Sequence, residues 1–176
     1  MNTNLHSPHS SLHASHPVPH RWLGLVAWIA LCVGIGIVDG VLFPPGSWFG
    51  ALDKPFFNPP PAVFAPVWTV LYIMMGVAAW RVWTLLPSRE RAQALRQFLV
   101  QLVLNAAWVP VFFGAHSLGG GLVVIVLMAV AIIVTIQRFH PLDKIAAWLL
   151  APYLAWVTFA TALNVSLLAL NGKFGA

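Results

Sequence analysis

Leu118-Gly-Gly-Gly-Leu-Val-Val-Ile-Val-Leu-Met-Ala-Val-Ala-Ile-Ile-Val-Thr-Ile-Gln137 passes from end to end without one charged side chain. A hydrocarbon core about 30 Å thick is crossed by about 20 helical residues rising about 1.5 Å each, so this stretch alone is long enough to span a bilayer. Four more segments of the same character surround it, at about residues 22–42, 62–86, 94–114 and 145–170. In lipid every backbone N–H and C=O must be paired internally, which leaves helices or a closed barrel. A barrel needs alternating segments of about ten residues, and these are missing. The expected fold is an all-α membrane protein, a bundle of five transmembrane helices.

Composition agrees with that reading. Of 176 residues, 60% are hydrophobic and 7% charged, against about 25% charged in an ordinary soluble domain. So little charge could not cover a globule facing water. The net charge of +5 does not point to nucleic acid, because the nine basic residues are scattered between apolar runs and form no patch. Cys32 is the single cysteine, so no internal disulfide and no thiolate cluster for a metal can form.

Residues 1–20 read as a disordered tail rich in Ser, Pro and His, without periodicity. The irregular spacing of His6, His9, His13, His16 and His20 reads as incidental composition rather than a metal or haem site. Residues 21–171 form the membrane domain, and 172–176 a short C-terminal tail. Between the first two spans, residues 43–61 carry Pro44-Pro45-Gly46 and Pro59-Pro60-Pro61 together with Trp48, Phe49, Phe56 and Phe57. That much aromatic surface predicts a loop folded back over the bundle end rather than a solvated linker. Five spans place Arg21, Arg81, Arg89, Arg91, Arg96, Arg138 and Lys144 on one side of the membrane, and Lys54 and Lys173 on the other. In a bacterial inner membrane this bias puts the N-terminus in the cytoplasm and the Pro-rich loop outside.

Conventional catalytic motifs are absent from the sequence. The acids Asp39, Asp53, Glu90 and Asp143 are dispersed, and no Gly-rich phosphate loop or His pair at ligand spacing occurs within the spans. What stands out is a set of stripes. Trp68, Tyr72 and Met75 recur at helical spacing on the second span; Gln101, Asn105, Trp108 and Phe112 do so on the third. On the fifth, Trp156 follows Pro152 by four, with Tyr153, Ala160 and Asn164 on the adjoining face. Such stripes suit a pocket in which indoles pack on a flat ligand and amides fix its polar edge. They suit plain core packing as well, and Asn105 and Asn164 read first as interhelical hydrogen-bond donors and acceptors and only then as ligand contacts. Trp22, Trp28, Trp80, Trp83 and Trp148 read as interfacial anchors or lipid-facing side chains rather than ligand contacts. Asp39, near the outer end of the first span, reads as a solvated or capping group. The small residues Gly24, Gly34, Gly36, Ala106, Ala107 and Gly114 permit close helix approach, within the bundle or at a dimer seam.

Three ordered motifs carry a family resemblance. Trp48-Phe-Gly-Ala-Leu-Asp-Lys-Pro55, then Pro59-Pro60, then Phe64-Ala-Pro66-Val-Trp68-Thr-Val-Leu-Tyr72-Ile-Met-Met-Gly76 resembles the signature of the TspO/MBR family, the translocator or tryptophan-rich sensory proteins. Gln101-Leu-Val-Leu-Asn105-Ala-Ala-Trp108 with Phe112-Phe113-Gly114 is similar to that family's third helix. Pro152-Tyr153-Leu-Ala-Trp156 with Phe159-Ala-Thr-Ala-Leu-Asn164 is similar to its fifth. The resemblance covers residues 22–171 and implies a five-helix bundle, commonly a homodimer, that binds porphyrins such as protoporphyrin IX and haem, sterols, and synthetic benzodiazepine-type ligands.

It further implies a pocket under the loop between helices one and two, with Trp48, Trp68 and Trp156 on its wall and Tyr72, Asn105 and Trp108 nearby. Porphyrin is then a ligand and no resident cofactor is required. Reported light-dependent porphyrin degradation in some bacterial members implies a second role, with Trp68 and Trp156 as the candidate catalytic residues. A third reading is a transporter of sterol or another lipophilic small molecule. Two departures bear on specificity. Val165 stands where the animal sterol-recognition pattern has Tyr, with no Arg or Lys shortly after, and residues 115–121 carry glycines where an animal member has an aromatic. The expected setting is a bacterial cell membrane, with lipid and a flat apolar small molecule as partners and no nucleic acid.

Overall fold

The computed structural model describes residues 21–172. Helix α1 spans Arg21–Leu42, and the short α2, Ser47–Ala51, lies within the Pro-rich loop. Helix α3 is Pro61–Trp83; α4 is Arg89–Val109 and runs on through a π-helical turn, Pro110–Gly114. Helix α5 is Leu118–Phe139, the single-turn α6 is Lys144–Leu149 and α7 is Ala151–Asn171. Counting α4 with its π turn and α6 with α7, five helical stretches are long and apolar enough to cross a membrane. Among the described residues there is no strand. The His-rich tail lies outside them.

Several ends differ from the sequence expectation for local reasons. Helix α3 stops at Trp83, not 86, because Thr84 and Leu85 turn back on Trp80 and Val82 ahead of Pro87. Helix α4 begins at Arg89, not 94, because the Ser88 hydroxyl accepts the Arg91 N–H at 3.1 Å and caps a charged first turn. The fifth span is two helices rather than one continuous rod from 145. Pro152 brings no N–H to the i−4 ladder, so the chain breaks at Leu150 and restarts. At Pro110 the same deficit widens α4 into the π turn, closed by Ala115 N–H donating to the Pro110 carbonyl at 2.8 Å.

Helix α1 packs on α3, α4 on α5, and α5 on α7, while α3 also meets α6. One end of the bundle is tied by Trp80 Nε1 donating to the Arg21 carbonyl (2.8 Å) and by the Arg81–Asp143 ion pair (2.9 Å). At the other end Asn171 exchanges two 3.1 Å hydrogen bonds with the backbone of Asp53, which fastens the Pro-rich loop over the bundle. Phe49 packs edge-on against Phe112 and Phe113 at the same place. The half of the bundle away from the loop is solid, with Phe98 stacked on Phe139 and edged by Trp28. Lipid tails are as apolar as this core, so close helix packing rather than escape from water holds it together. Val103, Val123 and Leu127 accordingly point outward.

The Arg81–Asp143 pair gives an acid-sensitive joint. Burial alone raises the Asp143 carboxyl, but the Ala146 N–H it accepts at α6 and the Arg81 guanidinium outweigh that and hold it below its ordinary value. A lowered folded value means stabilisation that is complete above the unfolded value of about 3.9 and is lost as pH falls through the folded one. Thermal unfolding in detergent is expected to show a melting temperature that drops below about pH 4 in the native chain. In Asp143→Asn this part of the drop should disappear; an identical acid profile would remove the joint from the account.

Candidate functional site

Above the solid half, beneath the Pro-rich loop, the bundle is hollow. The cavity measures about 910 Å³, near the top of the range of about 300–1,000 Å³ for small-molecule sites. Each wall is a helical stripe. Phe64, Trp68 and Tyr72 lie four apart on α3, and Trp156, Ala160, Leu163 and Leu167 follow one another three or four apart on α7. Asn105, Trp108 and Phe112 form the α4 wall, Gly36, Asp39 and Phe43 the α1 wall, and Ile125 and Met128 of α5 close the back. Phe49, Lys54 and Asn58 come down from the loop.

The aromatic rings brace one another. Trp68 stacks on Tyr72 (5.4 Å) and meets Tyr153 edge-on. Trp156 sits between Phe64 (5.9 Å) and Phe159 (5.5 Å), and Trp108 stacks on Phe112 (4.9 Å). Rigid aromatic faces therefore bound much of the space. At its base Asn105 joins three helices: its Oδ1 accepts from the Tyr72 hydroxyl at 2.8 Å, and its Nδ2 donates to the Tyr153 hydroxyl at 3.0 Å. Gly36 makes room for this arrangement, since a methyl there would collide with the Tyr72 ring.

Other polar groups on the wall are not satisfied by protein. Asp39 Oδ2, Asn58 Oδ1, Trp108 Nε1 and both amide atoms of Asn164 are buried with no hydrogen-bond partner among the described residues. Buried polar groups are ordinarily paired, so four such side chains around one cavity point to partners that a ligand or water supplies.

Of the residues singled out in the sequence, Trp68, Tyr72, Asn105, Trp108 and Trp156 come together on this wall. Trp48 does not line it. Successive residues of a helical turn diverge by about 100°, so in α2 Trp48 turns away to stack on His116 at 4.7 Å, and Phe49 takes the inward position. Gln101 and Met75 are buried but lie off the cavity. Asp39 is neither solvated nor a cap: it is 7% exposed and on the wall. Lys54, Asn58 and Phe64 are wall residues that periodicity did not single out. Their sequence signal was only that polar and aromatic groups occur in and beside a Pro-rich loop that folds back.

Comparison with known proteins agrees with this architecture. The family model described as TspO/MBR matches residues 28–170. The chain is 43% identical over 152 residues to the tryptophan-rich protein TspO of Chlorobaculum tepidum, covering 85% of this chain and 96% of that one. It is 40% identical over 141 residues to protein CrtK of Rhodobacter capsulatus, covering 80% and 86%. With the human translocator protein it shares 38% identity over 139 residues, covering 76% and 82%.

Proposed function

Starting from the premise that this chain is a membrane protein of the TspO/MBR family, we propose that it binds a tetrapyrrole, protoporphyrin IX or haem, in the cavity beneath the Pro-rich loop, and so senses, sequesters or moves porphyrin. The observation that carries the reading is the cavity itself: about 910 Å³, walled by Trp68, Trp108 and Trp156, with unpartnered polar atoms set among the rings. A large flat macrocycle offers the extended π-face such walls suit, and its carboxylate substituents can accept from Trp108 Nε1 and Asn164 Nδ2, which lack acceptors. Names of relatives attach translocation and sensing to those proteins, and the proposal extends that type of role to this one. A homodimer in a bacterial cell membrane, with the loop facing outward, completes the proposal.

Light-driven oxidation of bound porphyrin by dissolved dioxygen is the second reading, and Trp68 of α3 and Trp156 of α7 both lining the one cavity favours it. Titration of the purified protein with protoporphyrin IX is expected to quench indole emission saturably and to shift the Soret band. Each aromatic contact contributes about 0.5–1.5 kcal/mol, so Trp68→Leu with Trp156→Leu should weaken binding about tenfold by the Soret readout. Absence of any saturable change would end the tetrapyrrole reading. If illumination then yields a new pigment in the native chain and none in the double variant, degradation joins binding.

A further inference from the structure

Among the described residues Asp39 is the one carboxylate on the cavity wall, and none of them forms an ion pair or a hydrogen bond with its Oδ2. Its Oδ2 has no hydrogen-bond partner, and the ion pair found among the described residues, Arg81–Asp143, does not involve it. Lys54, the basic side chain on the same wall among the described residues, has its ammonium engaged: it donates to the carbonyls of Gly50 (3.2 Å) and Leu52 (3.0 Å) and lies 4.9 Å from the Phe49 ring centroid. On its other side Asp39 borders a shallow groove of about 360 Å³ whose remaining lining, Ala30, Leu31, Gly34, Ile35, Val38 and Ala106, offers no polar side chain.

Position makes the charge harder still to account for by stability. Asp39 is three residues from the C-terminal end of α1, where the helix dipole favours cations and disfavours anions. An acidic side chain inside a membrane span is costly and marks a functional site unless a partner is present. Gly36 and Gly40 flank it on α1 and both border the cavity; the Tyr72 ring fills the space at Gly36, whereas a Cβ at Gly40 would meet nothing within 4 Å, so the wall beside the carboxylate is open on that side.

We infer that the α1 wall is a subsite for a protonated amine: the cavity accepts a flat apolar ligand carrying a cationic nitrogen, whose N–H groups donate to Asp39 while the aromatic walls hold the body. The inference rests on the cavity being a ligand site, and not on that ligand being a tetrapyrrole. Three probes of one shape separate the two: 9-(aminomethyl)anthracene, 9-anthracenemethanol and 9-anthracenecarboxylate, each followed by energy transfer from the indoles in purified, detergent-solubilised protein. The ammonium probe is expected to bind at least about tenfold more tightly than the alcohol, because it adds charge–charge attraction to the hydrogen bond that the alcohol can also donate, and the carboxylate more weakly than either.

In Asp39→Asn the amine-to-alcohol affinity ratio should fall to near one, and in Asp39→Glu it should stay well above one. The ratio is internal to each variant, so a general loss of folded protein does not mimic the result. Equal affinities for the three probes in the native chain, or a ratio that survives Asp39→Asn, would overturn the inference. So would failure of all three to bind a protein that still shifts the Soret band of protoporphyrin IX, and that outcome would leave the tetrapyrrole reading standing.

Discussion

Gly76→Ala is expected to destabilise the bundle by about 3 kcal/mol, the upper part of the range for overpacking a filled interior. A Cβ at Gly76 would stand 2.7 Å from Ile29 Cα and 2.8 Å from Ile29 N, so the obstacle is backbone of α1 and not the movable end of a side chain. The strain is relieved only by moving two spans apart. Neighbouring Ala78 and Ala79 are fully buried, so the small-residue face of α3 is already packed as closely as methyl groups allow. Separation also opens the α1 and α3 walls of the cavity, which carry Asp39 on one side and Trp68 and Tyr72 on the other. Denaturation in mixed micelles should show a lower midpoint, and the porphyrin binding proposed above should weaken at denaturant concentrations where the protein is still folded. By contrast Gly34, whose Cβ would meet nothing within 4 Å, should accept alanine with little loss of stability. Equal tolerance at the two positions would refute the close-approach account.

The five spans were legible because membrane helices are written in length and apolarity, and both survive in a single sequence. Trp68 and Tyr72, and Asn105 and Trp108, were legible as stripes because 3.6-residue periodicity puts them on one face whatever their neighbours do. Ends were less so. The charged run Ser88-Arg89-Glu90-Arg91 looks like a loop by polarity, but Ser88 makes it the first turn of a helix that projects beyond the apolar part. Within the Pro-rich loop no period is available, so the choice between Trp48 and Phe49 as the inward ring depends on how α2 is seated against Phe112 and His116. Asp39 departs from its sequence expectation for a related reason. Nearness to the end of an apolar run suggests solvent, whereas Asp39 is buried on the wall of the cavity that lies beneath the Pro-rich loop.

Asn105→Leu is expected to cost about 3 kcal/mol, and the size follows from what is stranded rather than from the bonds themselves. Side-chain hydrogen bonds between membrane helices average only about 0.6 kcal/mol each, so losing two would cost about 1. The larger part is the Tyr153 hydroxyl, which is fully buried and loses its bond to Asn105 Nδ2. A buried group left unpaired costs about 1–3 kcal/mol. Tyr72 is less exposed to that penalty because it borders the cavity and can turn toward its contents. Removing the stranded hydroxyl should therefore restore stability: Tyr153→Phe in the Asn105→Leu background is expected to be more stable than Asn105→Leu alone, while Tyr153→Phe in the native background is destabilising. Tyr72→Phe should recover less. If neither tyrosine replacement recovers stability in that background, the polar base of the cavity is not the joint between α3, α4 and α7 that its 2.8 and 3.0 Å bonds describe.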